Sequence, residues 1–167
     1  MGNGSKVEIF QKGGSPVMPN KPFSGSYDHS LDSKGRVIIP SAYRDSLGEE
    51  FTVTINPTKT AVAIYPKEIW DKQLERLARI NPMDKVGMKY ERYLMSVSFS
   101  GNSMDAQGRV LIPAKLRAKI GLTRDIVFVG MNSFIEIWDS EVFKQSESQT
   151  EDGFEDLVDY MYEKYPD

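Results

Sequence analysis

The stretch LDSKGRVIIP, from Leu31 to Pro40, returns as MDAQGRVLIP, from Met104 to Pro113, 73 residues later. Between positions 32–48 and 105–121 eight of 17 residues are identical: Asp, Gly, Arg, Val, Ile, Pro, Arg and Gly. Self-similarity at a fixed offset constrains a fold more than any composition does, because each copy must build the same local unit. The 167 residues therefore read as two copies of one short unit rather than as one long irregular domain.

Each copy predicts the same order of elements. A short strand (24–29, matched by SVSFS from Ser96) leads into a turn at Asp32–Gly35 or Asp105–Gly108. RVIIP and RVLIP read as buried strands, and a short helix follows each, Pro40 to Leu47 and Ala114 to Ile120. Proline suits a first helical turn, and Gly48 and Gly121 suit the stop. A hairpin closes each unit: FTVTI (51–55) with AVAIY (61–65), then IVFVG (126–130) with FIEIW (134–138). IYPKEIW and IWDSEVF extend the match to residues 70 and 143.

Between the copies, Trp70, Leu74 and Leu77 share a helical face within 66–80. Asn81-Pro82 interrupts it, and Val86, Tyr90, Tyr93 and Leu94 predict a second helix. Residues 1–22 are rich in Gly, Pro, Asn and Lys without a period, which predicts a flexible arm. In the tail, Phe154, Leu157, Val158, Met161, Tyr162 and Tyr165 follow helical spacing over an acidic back. Docking of that face on the chain's own body or on a neighbouring subunit is the preferred expectation.

Charge sharpens the division. The whole chain carries −3, but residues 144–167 hold eight acids against two lysines, which leaves the preceding 143 residues at +3. A mildly basic body with an acidic tail does not exclude a nucleic-acid partner, because steering depends on where charge sits. There is no cysteine, so disulfides, thiol nucleophiles and thiolate metal sites are excluded. No stretch of about 18 apolar residues offers a membrane span, and no apolar signal segment opens the chain; a cytosolic protein is expected.

Catalytic chemistry finds little purchase. The one histidine, His29, has Asn102 at its repeat position, and a packing role is expected of it. No glycine-rich phosphate loop and no metal-spaced cluster occurs, so neither cofactor nor metal is expected. What repeats is a device for presenting an arginine. Gly35 and Gly108 permit a positive φ, Asp32 and Asp105 can accept backbone N–H bonds to hold the turn, and Arg36 and Arg109 emerge beside it. Arginine's planar fork suits phosphate oxygens or guanine O6/N7. Lys34, Gln107 and Lys115 would add phosphate or polar contacts. Asp and Arg four residues apart can also simply pair with each other, and Arg44 and Arg117 suit a salt bridge or interface as well as they suit DNA.

YDHSLDSKGRVIIPSAYR and NSMDAQGRVLIPAKLR resemble the two Asp-x-x-x-Arg repeats of the MraZ transcriptional regulators, within the AbrB/MazE/SpoVT-like superfamily. The resemblance spans about Phe23 to Phe143. It implies a mainly β, α+β fold: two tandem SpoVT-AbrB-like repeats interleaved as a swapped-hairpin, double-psi-like β-barrel, joined by a helical hairpin. The implied division is an arm (1–22), repeat 1 (23–70), helical linker (71–95), repeat 2 (96–143) and acidic helix (144–167). It further implies a non-enzymatic, cytoplasmic, nucleoid-associated repressor of the division and cell-wall gene cluster. Such a protein binds short direct repeats in promoter double-stranded DNA as a homo-oligomeric ring. Arg36 and Arg109 carry over as DNA-contacting residues, with Asp32 and Asp105 in support.

Two other classes compete. Swapped-hairpin relatives of antitoxin type bind a protein partner through acidic tails, and this tail would suit that role. A small hydrolase using Asp32 or Asp105 is disfavoured, because nothing supplies a base or a metal.

Overall fold

A computed structural model describes residues 18–19 and 21–167. Nearly all of the arm expected over 1–22 lies outside the described residues. In chain order the elements are β1 (Ser26–Ser30), β2 (Arg36–Ile38), α1 (Ser41–Leu47), β3 (Phe51–Ile55), β4 (Val62–Pro66), α2 (Lys67–Leu77) and α3 (Lys85–Ser96). The second half follows with β5 (Phe99–Asn102), β6 (Arg109–Leu111), α4 (Ala114–Ile120), β7 (Asp125–Gly130), β8 (Ile135–Asp139), α5 (Ser140–Asp152) and α6 (Phe154–Lys164).

Six strands form one antiparallel sheet in the order β1-β7-β8-β4-β3-β5, and β2 pairs with β6 in a separate ribbon. The swapped-hairpin β-barrel implied by the resemblance is not formed. The sheet is open, with β1 and β5 at its two edges, and the arrangement is α+β with two sheets. The ribbon pairs with neither edge strand. Its last bonds run from Ile39 N–H to Gly108 O (2.9 Å) and from Ile112 N–H to Gly35 O (3.0 Å). Pro40 and Pro113 come next and have no N–H with which to extend the ladder.

Strands of one half pair with strands of the other at four places, three of them β1 with β7, β2 with β6, and β4 with β8. β5, at the start of the second half, pairs with β3 of the first. The core is shared accordingly. Val37, Ile39, Tyr43, Val53 and Ile64 pack in one cluster with Val110, Ile112, Leu116, Phe128 and Ile137. β4 alternates as a strand between two layers must. Val62 and Ile64 enter that cluster, while Ala63 and Tyr65 enter a smaller one with Ile69 and Trp70 of α2.

The opposite ends of the duplication differ. α5 begins at Ser140, exactly at the repeat position of Lys67, where α2 begins. Yet α2 buries Ile69, Trp70, Gln73 and Leu77, while α5 and α6 bury none of their residues. The tail is two helices parted at Gly153, not one. Its apolar face does not dock on the chain's own body: Phe154, Leu157, Met161 and Tyr162 remain exposed.

Candidate nucleic-acid interface

Both turns are built by one aspartate. Asp32 Oδ1 accepts the backbone N–H of Lys34 and of Arg36, each at 2.9 Å, and Oδ2 accepts Arg36 Nε–H at 2.7 Å. Asp105 repeats this with Gln107, Arg109 and Arg109 Nε, at 2.9, 2.9 and 2.7 Å. These backbone bonds, ahead of the arginine's own bond and charge, hold both carboxyls below their ordinary range. A carboxylate whose pKa is held low by three N–H groups is a weak general base, which argues against the hydrolase reading.

The aspartate–arginine pair exists, but it engages only Nε. The four remaining guanidinium N–H groups of Arg36 and Arg109 make no hydrogen bond among the described residues. Both side chains keep about 30% of their exposure, 30% and 31%. The aspartate thus fixes the arginine's orientation and leaves its far edge for a partner.

Each turn is braced from the opposite half. Gly35 and Gly108 adopt φ of +79° and +77°. A Cβ at Gly35 would meet Arg117 Cζ at 2.5 Å, and one at Gly108 would meet Arg44 Cζ at 2.6 Å. Those guanidiniums are tied down by Nε–H bonds to Ile112 O and Ile39 O, both 3.0 Å. Arg44 and Arg117 are therefore braces that lie flat on the other copy's glycine turn, a role that repetition alone did not distinguish.

The ribbon brings the two arginines onto one surface. Arg36 stands opposite Leu111, and Ile38 stands opposite Arg109. These four share a face, while Val37 and Val110 turn inward and are buried. Ile38 and Leu111 are 46% and 54% exposed, so the fully buried strands expected from RVIIP and RVLIP are half-buried ones. Strand alternation contained that signal. Lys34 and Gln107 occupy the exposed turns, whereas Lys115 donates to Ser96 O at 2.9 Å, at the end of α3. Arg124 was not singled out by sequence; with Arg117 it lines a cleft beside Asp32 and Ser33. His29 packs edge-on against Phe128 (5.3 Å), and burial lowers its pKa. Among the described residues no cluster of His, Cys, Asp or Glu could hold a metal, and no helix is long and apolar enough to cross a membrane.

Fold and site together define a duplicated α+β protein that presents paired arginines on a cross-braced ribbon. A family profile described as "MraZ protein, putative antitoxin-like" matches residues 23–92 and 101–163. A transcriptional regulator MraZ of Lachnoclostridium phytofermentans is 43% identical over 141 residues, covering 84% of this chain and 96% of its own. Those of Thermoanaerobacter sp. strain X514 and Caldanaerobacter subterraneus subsp. tengcongensis are 33% and 32% identical, each covering 82% of this chain and 94% of their own. The chain belongs to the MraZ family of transcriptional regulators, which places it among regulators rather than enzymes. The second match runs on to residue 163, past Phe143, so α5 and nearly all of α6 belong to the family's repeat.

Proposed function

We propose that the β2–β6 ribbon is a DNA-reading head, and that the chain represses the division and cell-wall gene cluster from short direct repeats in its promoter. The observation that carries this is the diagonal placement of Arg36 and Arg109 on the ribbon's one exposed face. Diagonal neighbours stand roughly 7–8 Å apart, and the major groove, about 12 Å wide, admits a two-stranded ribbon. Each free guanidinium edge suits guanine O6/N7 or a phosphate. Ile38 and Leu111 between them suit thymine methyl groups, and Lys34 and Gln107 suit the flanking phosphates. Lys115, bonded to Ser96 O, holds α4 and its brace in place.

One such head makes few phosphate contacts, so a single chain binds weakly at physiological salt. A ring of chains over regularly spaced sites gains by effective concentration, on the order of 10²–10⁴-fold. The exposed apolar side chains of α3, α5 and α6 supply surface for that self-association.

The test is fluorescence anisotropy with DNA from upstream of the protein's own gene, over a salt series. Wild type is compared with the Arg36→Ala/Arg109→Ala variant. Losing roughly 1 kcal/mol or more per bidentate contact predicts at least about 30-fold weaker binding per head. Equal binding by the folded double variant refutes the reading.

A further inference from the structure

Beside the first turn lies a cleft walled by Leu31, Asp32, Ser33, Arg117, Thr123 and Arg124. The chain builds it by carrying the β1–β7 ladder one step past the strands: Leu31 N–H donates to Arg124 O at 2.8 Å. Residues opposed on a ladder share a face. Leu31 packs against the main core, as do Ile126 and Phe128, two and four residues beyond Arg124. Alternation therefore puts Arg124 on the core side of the sheet's rim, where α4 and the ribbon pack. Asp125 falls on the other side, in a separate cleft with His29 and Glu141. Arg124 and Ser33 are exposed, and neither side chain has a hydrogen bond or ion pair among the described residues. Arg117 reaches the same place from α4, its guanidinium held over Gly35. The other polar groups are already committed. The Thr123 hydroxyl donates to Asp139 Oδ1 at 2.7 Å, and Asp32 accepts from its own turn.

The second copy is a control within the same molecule. At the repeat positions of Ser33, Leu122, Thr123 and Arg124 stand Ala106, Glu49, Glu50 and Phe51, and Phe51 is buried. The ladder differs as well. Asn102 pairs with Phe51, whereas its counterpart His29 pairs with Ile126, so the register is shifted by two residues. Around the first turn Arg36, Arg117 and Arg124 outnumber Asp32 by two charges. At the equivalent positions Asp105, Glu49 and Glu50 outnumber Arg44 and Arg109 by one. An anion is drawn to one end of the ribbon and repelled from the other.

We infer that this cleft is a backbone-phosphate site, present at one end of the reading head only. Arg124 pairs with a DNA phosphodiester, Ser33 donates to it, and Arg117 adds charge from behind. Charge-assisted bonds of this kind suit phosphate oxygens. A phosphodiester is the anion that fits the position, because Ser33 and Arg36 belong to one turn, and a side chain reading base edges is flanked by the phosphates that bound the groove. The contact reads no sequence; it fixes where the head sits and which way it points. The second turn offers its flanking phosphate only the neutral amide of Gln107. This rests on the DNA-reading function proposed above and adds a site outside the ribbon's face.

Full-length variants test it by anisotropy over a salt series, with the duplex from upstream of the protein's own gene and a scrambled one. Arg124→Ala is expected to weaken binding to both duplexes by the same factor. It should also make the slope of log K against log[salt] shallower by about 0.9 for each head engaged. Arg124→Lys is expected to restore most of that slope, since charge rather than fork geometry sets it. Arg36→Ala/Arg109→Ala is expected instead to lose the distinction between the duplexes. Neutral methylphosphonate, placed at one phosphate at a time, is expected to weaken wild type but not Arg124→Ala at one position per site. Inorganic phosphate at matched ionic strength is expected to displace DNA no better than chloride. An unchanged slope for Arg124→Ala overturns the phosphate site and leaves the reading head standing, whereas equal binding by Arg36→Ala/Arg109→Ala overturns the reading head. A second sensitive phosphate, related to the first by the ribbon's two-fold axis, overturns the one-ended assignment. Selective displacement by inorganic phosphate makes the cleft a free-anion site and overturns it too.

Discussion

Replacing Gly35 by alanine probes the cross-brace most directly. The position sits at φ +79°, where a side chain costs roughly 1–2 kcal/mol. Its new Cβ would also lie 2.5 Å from Arg117 Cζ, so the guanidinium must shift and loosen its bond to Ile112 O, worth about 1 kcal/mol. Gly35→Ala should therefore cost about 2–3 kcal/mol. In an Arg117→Ala background only the backbone part remains, about 1–2 kcal/mol, which leaves a coupling of about 1 kcal/mol. Urea unfolding at one fixed protomer concentration measures all four corners of the cycle, since self-association would otherwise shift the midpoints. The control is the wrong brace: Gly35→Ala with Arg44→Ala should be additive, because Arg44 lies over Gly108. No coupling with Arg117, or equal coupling with both arginines, refutes the swapped bracing.

Two further perturbations test the polar framework. The folded pKa values of Asp32 and Asp105 are depressed, so their stabilisation is fully present above the unfolded carboxyl value, about 4, and is lost as pH falls through the lower folded value. Melting curves from pH 7 down to 3 should show the gap between wild type and Asp32→Asn/Asp105→Asn narrowing; a constant gap would contradict it. Asn56, 2% exposed, bonds Thr60 and Ala61 N–H, Thr60 Oγ1 and Glu136 Oε2. Asn56→Ala should cost about 3 kcal/mol by urea unfolding, since it leaves the buried Glu136 carboxylate with Trp138 Nε1 alone, and Glu136→Gln should recover part of that loss.

The local parts of this molecule were legible because five residues suffice to encode them. Aspartate at the first position, glycine at the fourth and arginine at the fifth determine an Asx-type turn wherever the chain goes next. The short helices ending at Gly48 and Gly121 are similarly local. What joins the halves is not. β1 finds β7, and Arg117 finds Gly35, across separations that leave no mark on any short window. Closure of the sheet failed for the same reason: whether two edges meet depends on strands far apart in sequence. The exposed face of the ribbon was legible in principle, since alternation puts Ile38 on the side of Arg36, but a run of branched residues looks buried throughout. The tail's period disclosed an apolar face, and nothing in the period says which surface covers it.

Cross-bracing also bears on how one head could read a direct repeat. Each turn is completed by an arginine of the other half, and each ribbon strand is paired with the other half's strand. Neither arginine can therefore be moved without the other, and their separation is a property of the ribbon rather than of a flexible link. Two identical halves would present a two-fold surface and favour a palindrome. These halves are unequal where it matters: at equivalent positions of the two copies Lys34 is matched by Gln107, Ser33 by Ala106 and Ile38 by Leu111. A charge at one end and an amide at the other give the ribbon a direction on DNA. On the proposed reading, that direction is what lets successive chains joined head to tail read successive sites pointing the same way.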